Sequence, residues 1–462
     1  MSKHADTAPL SFKEKLGYGL GDMASNFYLG FFGLYLLYYY TDVYGIAPAA
    51  VGFMLLISKF TDAISDPAMG LIADRTESRW GKYRPYLLWG AIPYGLMGVA
   101  IFFGPELSPT GKLVYAYLTY IGVMIAFTAM NVPYSALLAV ISPLAEERTK
   151  ATTYRFICAG AGGLFVAAFA TPLVNLLGGG DDVIGFRFTI AVFAVVSIIL
   201  FWITFASTKE RIKLPKHEST AKEDFKVLLK NSSWVALAIA CILIIVGLVA
   251  RFSSVIFYVK YYMQDDGEAI FLFFDRVALF SSMGLLGQIV GAMITPFLAK
   301  IWSKHHTVLI ACLIHTLLLI ISFFIPPEYY WSAVFLHFIG IATFGTIITL
   351  LFAMFTDCAE YGEWKTGKRT SGLTVSASMF ALKFGSAIGG ALPGFIMAAV
   401  GFVANEVQTD SSIMGIRLMA TILPATLFAL GGLMMLFYKI DKSLLVKIER
   451  ELLERRCPQR TH

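Results

Sequence analysis

WVALAIACILIIVGLV, residues Trp234 to Val249, contains no charged side chain. Thr307–Phe324 and Ala420–Tyr438 are equally free of Asp, Glu, Lys and Arg. Each run approaches the ~20 residues that a helix needs to cross the hydrocarbon of a bilayer. In lipid every backbone N–H and C=O must be paired internally, which leaves helices or a closed barrel. These runs are continuous and do not alternate with polar residues, so the barrel is excluded. Composition agrees: the chain is 57% hydrophobic and 15% charged, against roughly 45–50% and about 25% in soluble domains.

Working outward, spans are predicted near 18–40, 49–73, 86–104, 113–138, 156–177 and 188–206, then near 234–262, 276–299, 307–324, 332–357, 373–400 and 414–438. The fold class is therefore an all-α polytopic membrane protein, with twelve transmembrane helices in two six-helix bundles. The units are 1–206, a charged loop 207–233, a second bundle 234–439 and a tail 440–462. Six spans, a long loop and six spans is the layout of a carrier with a midplane site. The tail places Leu444, Leu445, Ile448, Leu452 and Leu453 on one face, an amphipathic helix expected on the membrane surface.

Of the 37 Lys and Arg residues, only Lys112, Arg187, Arg276 and Arg417 fall on the side away from the termini. That asymmetry predicts a bacterial inner membrane protein with both termini cytoplasmic. Basic cytosolic loops also account for the net charge of +6 without a nucleic-acid partner. The five cysteines are scattered, with no CxxC pair, which argues against a disulfide framework or a zinc site. Met1–Lys15 is polar and does not read as a cleavable signal. An enzyme would want an activated nucleophile or a clustered acid–base set. No HExxH, GxSxG or Walker-type loop is present, so neither catalysis nor a cofactor is expected.

Ionisable residues at membrane depth are costly and call for a function. In Ser58-Lys-Phe-Thr-Asp62-Ala-Ile-Ser-Asp66-Pro67, Asp62 and Asp66 share a helix face, with Lys59 on the same side. Two repelling carboxylates favour a proton or a small cation, and one lysine cannot neutralise both; hard oxygen ligands would suit Na⁺. Asp22 and Asn26 lie one turn apart behind Gly17, Gly19 and Gly21 and suit sugar hydroxyls. Thr128, Asn131 and Ser135 form a polar stripe on the fourth span. Arg155 enters the fifth, and Lys383 lies within the eleventh as a substrate donor or a counter-charge for an acid of the other half. Arg251 and Lys260 read as snorkelling. His315 and His337 lie alone in apolar spans. The loop Gly70–Pro85, with Asp74, Arg75 and Arg79, and the segment Asp357–Lys365, with Glu360, read as gating elements.

In these motifs the chain resembles the glycoside–pentoside–hexuronide:cation symporter family of the major facilitator superfamily. The resemblance is carried by Tyr18-Gly-Leu-Gly-Asp22, Tyr39-Tyr-Thr-Asp42, Asp62-Ala-Ile-Ser-Asp66-Pro67, Arg79-Trp-Gly-Lys-Tyr-Arg-Pro85, Asn131-Val-Pro-Tyr134, Glu360-Tyr-Gly-Glu363 and Lys383, and it spans nearly the whole chain. It implies alternating access between two bundles, with the cation at Asp62 and Asp66 helped by Ser65 and Thr128. It implies a sugar held by Asp22, Arg155 and Lys383. Melibiose-carrier members have an aspartate at the position of Asn131, so the departure shifts the expectation from Na⁺ toward H⁺. They also place a tenth-span tryptophan against the sugar, where Phe344 and Phe352 are the candidates here. The expected function is import of a glycoside, pentoside or hexuronide with H⁺ or Na⁺, with no obligate protein partner. The competing reading is a carrier of an amphipathic lipid or drug-like substrate.

Overall fold

A computed structural model describes residues 9–142, 144–211, 231–272, 274–366 and 371–456. The first half runs α1 (Phe12–Tyr38), α2 (Pro48–Arg75), α3 (Arg84–Trp89), α4 (Ala91–Ile101), α5 (Pro109–Ile141), α6 (Ala145–Gly178) and α7 (Asp182–Ser207). The second half runs α8 (Ser232–Phe257), α9 (Arg276–Ile301), α10 (Lys304–Phe323), α11 (Tyr330–Thr366), α12 (Ser371–Ala399), α13 (Asp410–Ala420) and α14 (Ile422–Leu433), followed by the tail helix α15 (Lys442–Arg456). Among the described residues ten helices are long and apolar enough to cross a membrane. The other two crossings are α1, which is long but polar near its start, and the α3–α4 pair.

Two spans expected as continuous helices are broken, and both breaks have the same cause. Proline lacks the N–H that residue i offers to the carbonyl at i−4. Pro93 leaves Trp89 O without that donor where α3 ends, and Pro424 does the same to Ala420 O where α13 ends. The second orphan is satisfied by the Arg251 guanidinium, which bonds Ala420 O and, at 2.9 Å, His337 Nδ1. Arg251 is only 4% exposed, so it does not snorkel. Nor is His337 alone.

The two halves form two bundles. In the first, α1 packs on α6 and α7, and α2 on α5. In the second, α8 packs on α12 and α14, and α9 on α11. Between them α2 meets α12, α6 meets α9 and α1 meets α8. Helices α1 and α8 each end in a wide i→i+5 turn, closed by Tyr44 N–H to Tyr39 O at 2.7 Å and Met263 N–H to Tyr258 O at 3.0 Å. Wide turns of this kind often mark functional positions, and here both lie on the face away from the termini. The tail helix forms as expected. Its stripe, however, is buried against protein at Ile448 and Leu452, and Glu451 accepts a 2.6 Å hydrogen bond from the Trp364 indole at the end of α11. Most of the expected loop 207–233 lies outside the described residues.

Candidate functional site

Helix α2 carries Asp62 and Asp66 one turn apart, as its period requires. Asp62 is 6% exposed. Its Oδ2 pairs with Lys59 Nζ at 3.1 Å, and its Oδ1 has no hydrogen-bond partner among the described residues. Asp66 Oδ1 accepts from Thr128 Oγ1 at 3.0 Å, and Ser65 Oγ lies 3.4 Å from the same hydroxyl. The four expected cation-site residues are thus brought together by α2 and α5. Of the two roles open to Lys383, the structure shows the counter-charge to an acid of the other half. Lys383, on α12 of the other bundle, forms a direct ion pair with Asp66 Oδ2.

The expected sugar residues divide. Asp22 on α1 and Arg155 on α6 form an ion pair, with Nε 3.2 Å from Oδ2 and Nη2 3.3 Å from Oδ1. The guanidinium also lies 5.0 Å from the centre of the Tyr134 ring. Tyr134 stacks on Tyr18 at 4.8 Å and donates to Tyr18 O at 2.6 Å. This packing explains the glycines of the first span. A Cβ at Gly21 would lie 2.6 Å from the Tyr134 ring, and one at Gly19 2.8 Å from Tyr154 O. Asn26 donates to Asp22 O at 2.8 Å, and Asn131 accepts from Ser135 Oγ at 3.1 Å. Lys383 does not join this group in the contacts described, because its ammonium lies on Asp66. Of the two aromatic candidates, Phe344 is buried in the second bundle. Phe352 faces Phe156 of α6 at 6.2 Å between ring centres.

On the face that holds the termini, charges pair within each bundle. Arg84 donates to Phe205 O at the end of α7 at 2.7 Å. Glu210 accepts backbone N–H bonds from Lys82, Tyr83 and Arg84 at 2.7–3.1 Å. Asp357 pairs with Lys304 at 2.7 Å. Arg75 and Arg79 are exposed, and Arg79 stacks over Trp80 at 4.1 Å. Glu360 is half-buried, and the Asp74 side chain lies outside the described residues. Glu147 binds Lys15 at 2.8 Å and Lys150 at 2.9 Å. The hydrogen bonds from these two lysines pull its carboxyl down to about 2.

The opposite face holds a cross-bundle contact that the sequence reading missed. Asp42 accepts from Tyr261 and, through its backbone carbonyl, from Asn405. Lys260 lies 3.8 Å from its carboxylate and donates to Tyr38 OH at 2.6 Å. The available signal was Tyr39-Tyr-Thr-Asp42 itself: a charge at the end of a span, opposite a second span that also ends in tyrosines and a lysine. With α2 against α12 and α1 against α8, these contacts join the bundles on this face.

Two bundles meeting around charges paired across the interface define a carrier. The chain belongs to the family described as MFS/sugar transport protein, whose pattern matches residues 17–442. It is a multi-pass membrane transporter and not an enzyme. It is 35% identical to the Inner membrane symporter YicJ of Escherichia coli (strain K12), over 97% of each chain. It is 34% identical to the Isoprimeverose transporter of Lactiplantibacillus pentosus, over 95% of this chain and 90% of that one. The crystal structure of a D-xylose-proton symporter has the same fold at 11% identity, with a TM-score of 0.66 over 92% of this chain and 97% of that one.

Proposed function

We propose that this protein moves a glycoside-class sugar together with H⁺ or Na⁺ by alternating access, and that it works as an importer in a bacterial inner membrane. The observation that carries the reading is Asp66, contacted by Thr128 of its own bundle and by Lys383 of the other. A cation taken up by Asp62 and Asp66 competes directly with a contact that ties the bundles together, so ion binding and bundle movement are one event. Asp62 Oδ1 is a free lone-pair site for that ion. Asp22 and Arg155, flanked by Asn26 and Asn131, supply acceptors and donors for sugar hydroxyls. No prosthetic group and no second protein are needed.

The excess of basic residues on the termini's face supports a cytosolic location for both termini, and in that orientation the Asp42–Lys260 contact closes the outer face. Arg75, Arg79, Asp357 and Glu360 then line the inner rim as gating residues. The test is sugar-dependent ion influx in de-energised cells. External alkalinisation or Na⁺ uptake on sugar addition is expected, and it should vanish in Asp62→Asn while sugar equilibration persists. Full sugar accumulation by Asp62→Asn would overturn the scheme.

A further inference from the structure

The outer part of the bundle interface encloses a cavity of about 440 Å³ that the transport scheme leaves without a role. Asp182 lines it from the first bundle, and Asp265, Asp266 and Asp275 line it from the second. Lys260 is the base among the described residues of that wall. Its ammonium is engaged by Tyr38 OH at 2.6 Å and Asn405 Oδ1 at 3.3 Å, and lies 3.8 Å from Asp42. Arg276 favours the charged form of Asp265, but its guanidinium donates to Met263 O at 2.8 Å and Gln264 O at 3.2 Å. Closing this face therefore gathers more acid than base, and low-dielectric walls intensify the resulting negative field.

Acids on an open surface are simply hydrated, but Asp275 is 2% exposed. Its Oδ1 caps α9 through Ala278 N–H at 2.7 Å, while its Oδ2 has no partner among the described residues. Asp265 Oδ1 is also buried and without a partner among them. Burial and the neighbouring Asp265 raise the Asp275 carboxyl above the usual carboxylate range. A buried acceptor left unsatisfied is costly, and two carboxylates sharing a site call for a cation or a proton.

We propose that the closed outer face binds a hydrated Mg²⁺-class cation between the bundles, held by Asp275 and Asp265 with Asp182 facing them. Among the described residues no three acids, imidazoles or thiols gather closely enough to enclose a bare ion. Mg²⁺ suits such a place because it keeps several waters and is bound through one or two carboxylates. The cavity has room for those waters, at about 30 Å³ each, and Thr171 and Asn175 offer them further oxygens. The site is separate from the transport pair Asp62 and Asp66, which sits where α2 meets α5 and α12. Its ligands come from both bundles, so it is complete only while they meet, and the ion favours the closed outer face.

The experiment uses the purified full chain in zwitterionic nanodiscs at pH 7.5, without sugar and stripped of divalent ions. Mn²⁺ is the paramagnetic probe for Mg²⁺, and its binding is read as loss of the free-ion spectrum. Wild type should bind Mn²⁺ that Mg²⁺ displaces and that N-methyl-D-glucamine at equal ionic strength does not. Asp275→Asn, which can still cap α9, and Asp265→Asn should each weaken that binding at least about ten-fold. Asp410→Asn, an exposed acid of the same face, should leave it unchanged. With spin labels at Leu107 and Val407, Mg²⁺ should enrich the shorter distance in wild type and not in Asp275→Asn. Equal Mn²⁺ affinity in wild type and both vestibule variants would mean adventitious surface binding and overturn the site. Binding lost in Asp62→Asn but kept in Asp275→Asn would put the ion at the transport pair and overturn it equally. Since no sugar is present, either failure leaves the sugar-carrier reading standing.

Discussion

Gly52→Ala should open the outer face. A Cβ at Gly52 of α2 would lie 2.8 Å from Ala391 O of α12, and 3.6 Å from Gly394 Cα. The obstructing atoms are backbone, which cannot rotate away, so the helices must part by a few tenths of an ångström. Overpacking of this kind costs about 1–3 kcal/mol. The helix-propensity gain of Ala over Gly, about 1 kcal/mol, is present in every conformer and cancels from the equilibrium between them. The clash exists only where α2 and α12 touch, so the closed outer face should lose population by about 5- to 150-fold. Nitroxide labels at Leu107 and Val407, which are 43% and 100% exposed on that face, report the change as a longer distance by electron–electron resonance. Cys158, Cys241, Cys312 and Cys358 are buried and should label poorly. Gly70→Ala is the control, because a Cβ there meets nothing within 4 Å. If Gly52→Ala and Gly70→Ala gave the same distance distribution as wild type, the α2–α12 contact would not be what closes this face.

Lys383→Ala removes the ammonium that competes with the coupling ion for Asp66, so cation affinity measured by calorimetry should rise several-fold, about 1 kcal/mol for a half-exposed pair; weaker binding would mean that Lys383 builds the ion site instead of occupying it. Glu147 titrates at about 2 in the folded chain against 4.5 ordinarily, so its contribution is complete above pH 4.5 and is lost as pH falls toward 2. Glu147→Gln should therefore speed hydrogen exchange of the Leu10 amide, which donates to this carboxylate, at neutral pH and much less so near pH 2. Asp275 is shifted the other way, up to about 7 from 3.8, chiefly by burial and further by Asp265. A raised carboxyl pKa favours the folded state at low pH and penalises it as pH rises from 3.8 to about 7. Asp275→Asn keeps an acceptor for Ala278 N–H, so its melting temperature should exceed that of wild type at pH 8 and match it at pH 3.

Hydrophobic runs made the fold legible because backbone pairing in lipid allows so few alternatives. Single residues explain what was not legible. Pro93 and Pro424 sit within apolar runs, and whether a proline bends a span or breaks it depends on what takes up the freed carbonyl. At Ala420 the answer is Arg251, whose span gave no hint of the partner. The shared face of Asp62 and Asp66 on α2 was readable from i, i+4 spacing, and the nearness of Thr128 followed from the resemblance. The destination of Lys383 was not readable, since both Asp66 and the Asp22–Arg155 pair offered it a carboxylate and only the packing of α12 on α2 decides between them. The Asp42 contact was missed because its partners lie more than 200 residues away, and snorkelling seemed to account for Lys260 without them.

On the proposed mechanism, the placement of Lys383 would also enforce coupling. With the ion absent, Asp62 and Asp66 are matched by Lys59 and Lys383, so the empty carrier keeps its charges compensated at membrane depth and can return without cargo. Ion binding at Asp62 and Asp66 would displace Lys383 and release the link between α2 and α12. An ion bound without sugar would leave that ammonium unpaired, which is costly in a low-dielectric interior, and sugar hydroxyls are the acceptors nearest to hand. Each ligand therefore lowers the cost of binding the other by the same free energy. A leak of ions without sugar would require a second acid within reach of Lys383, and among the described contacts Asp66 is the acid it has.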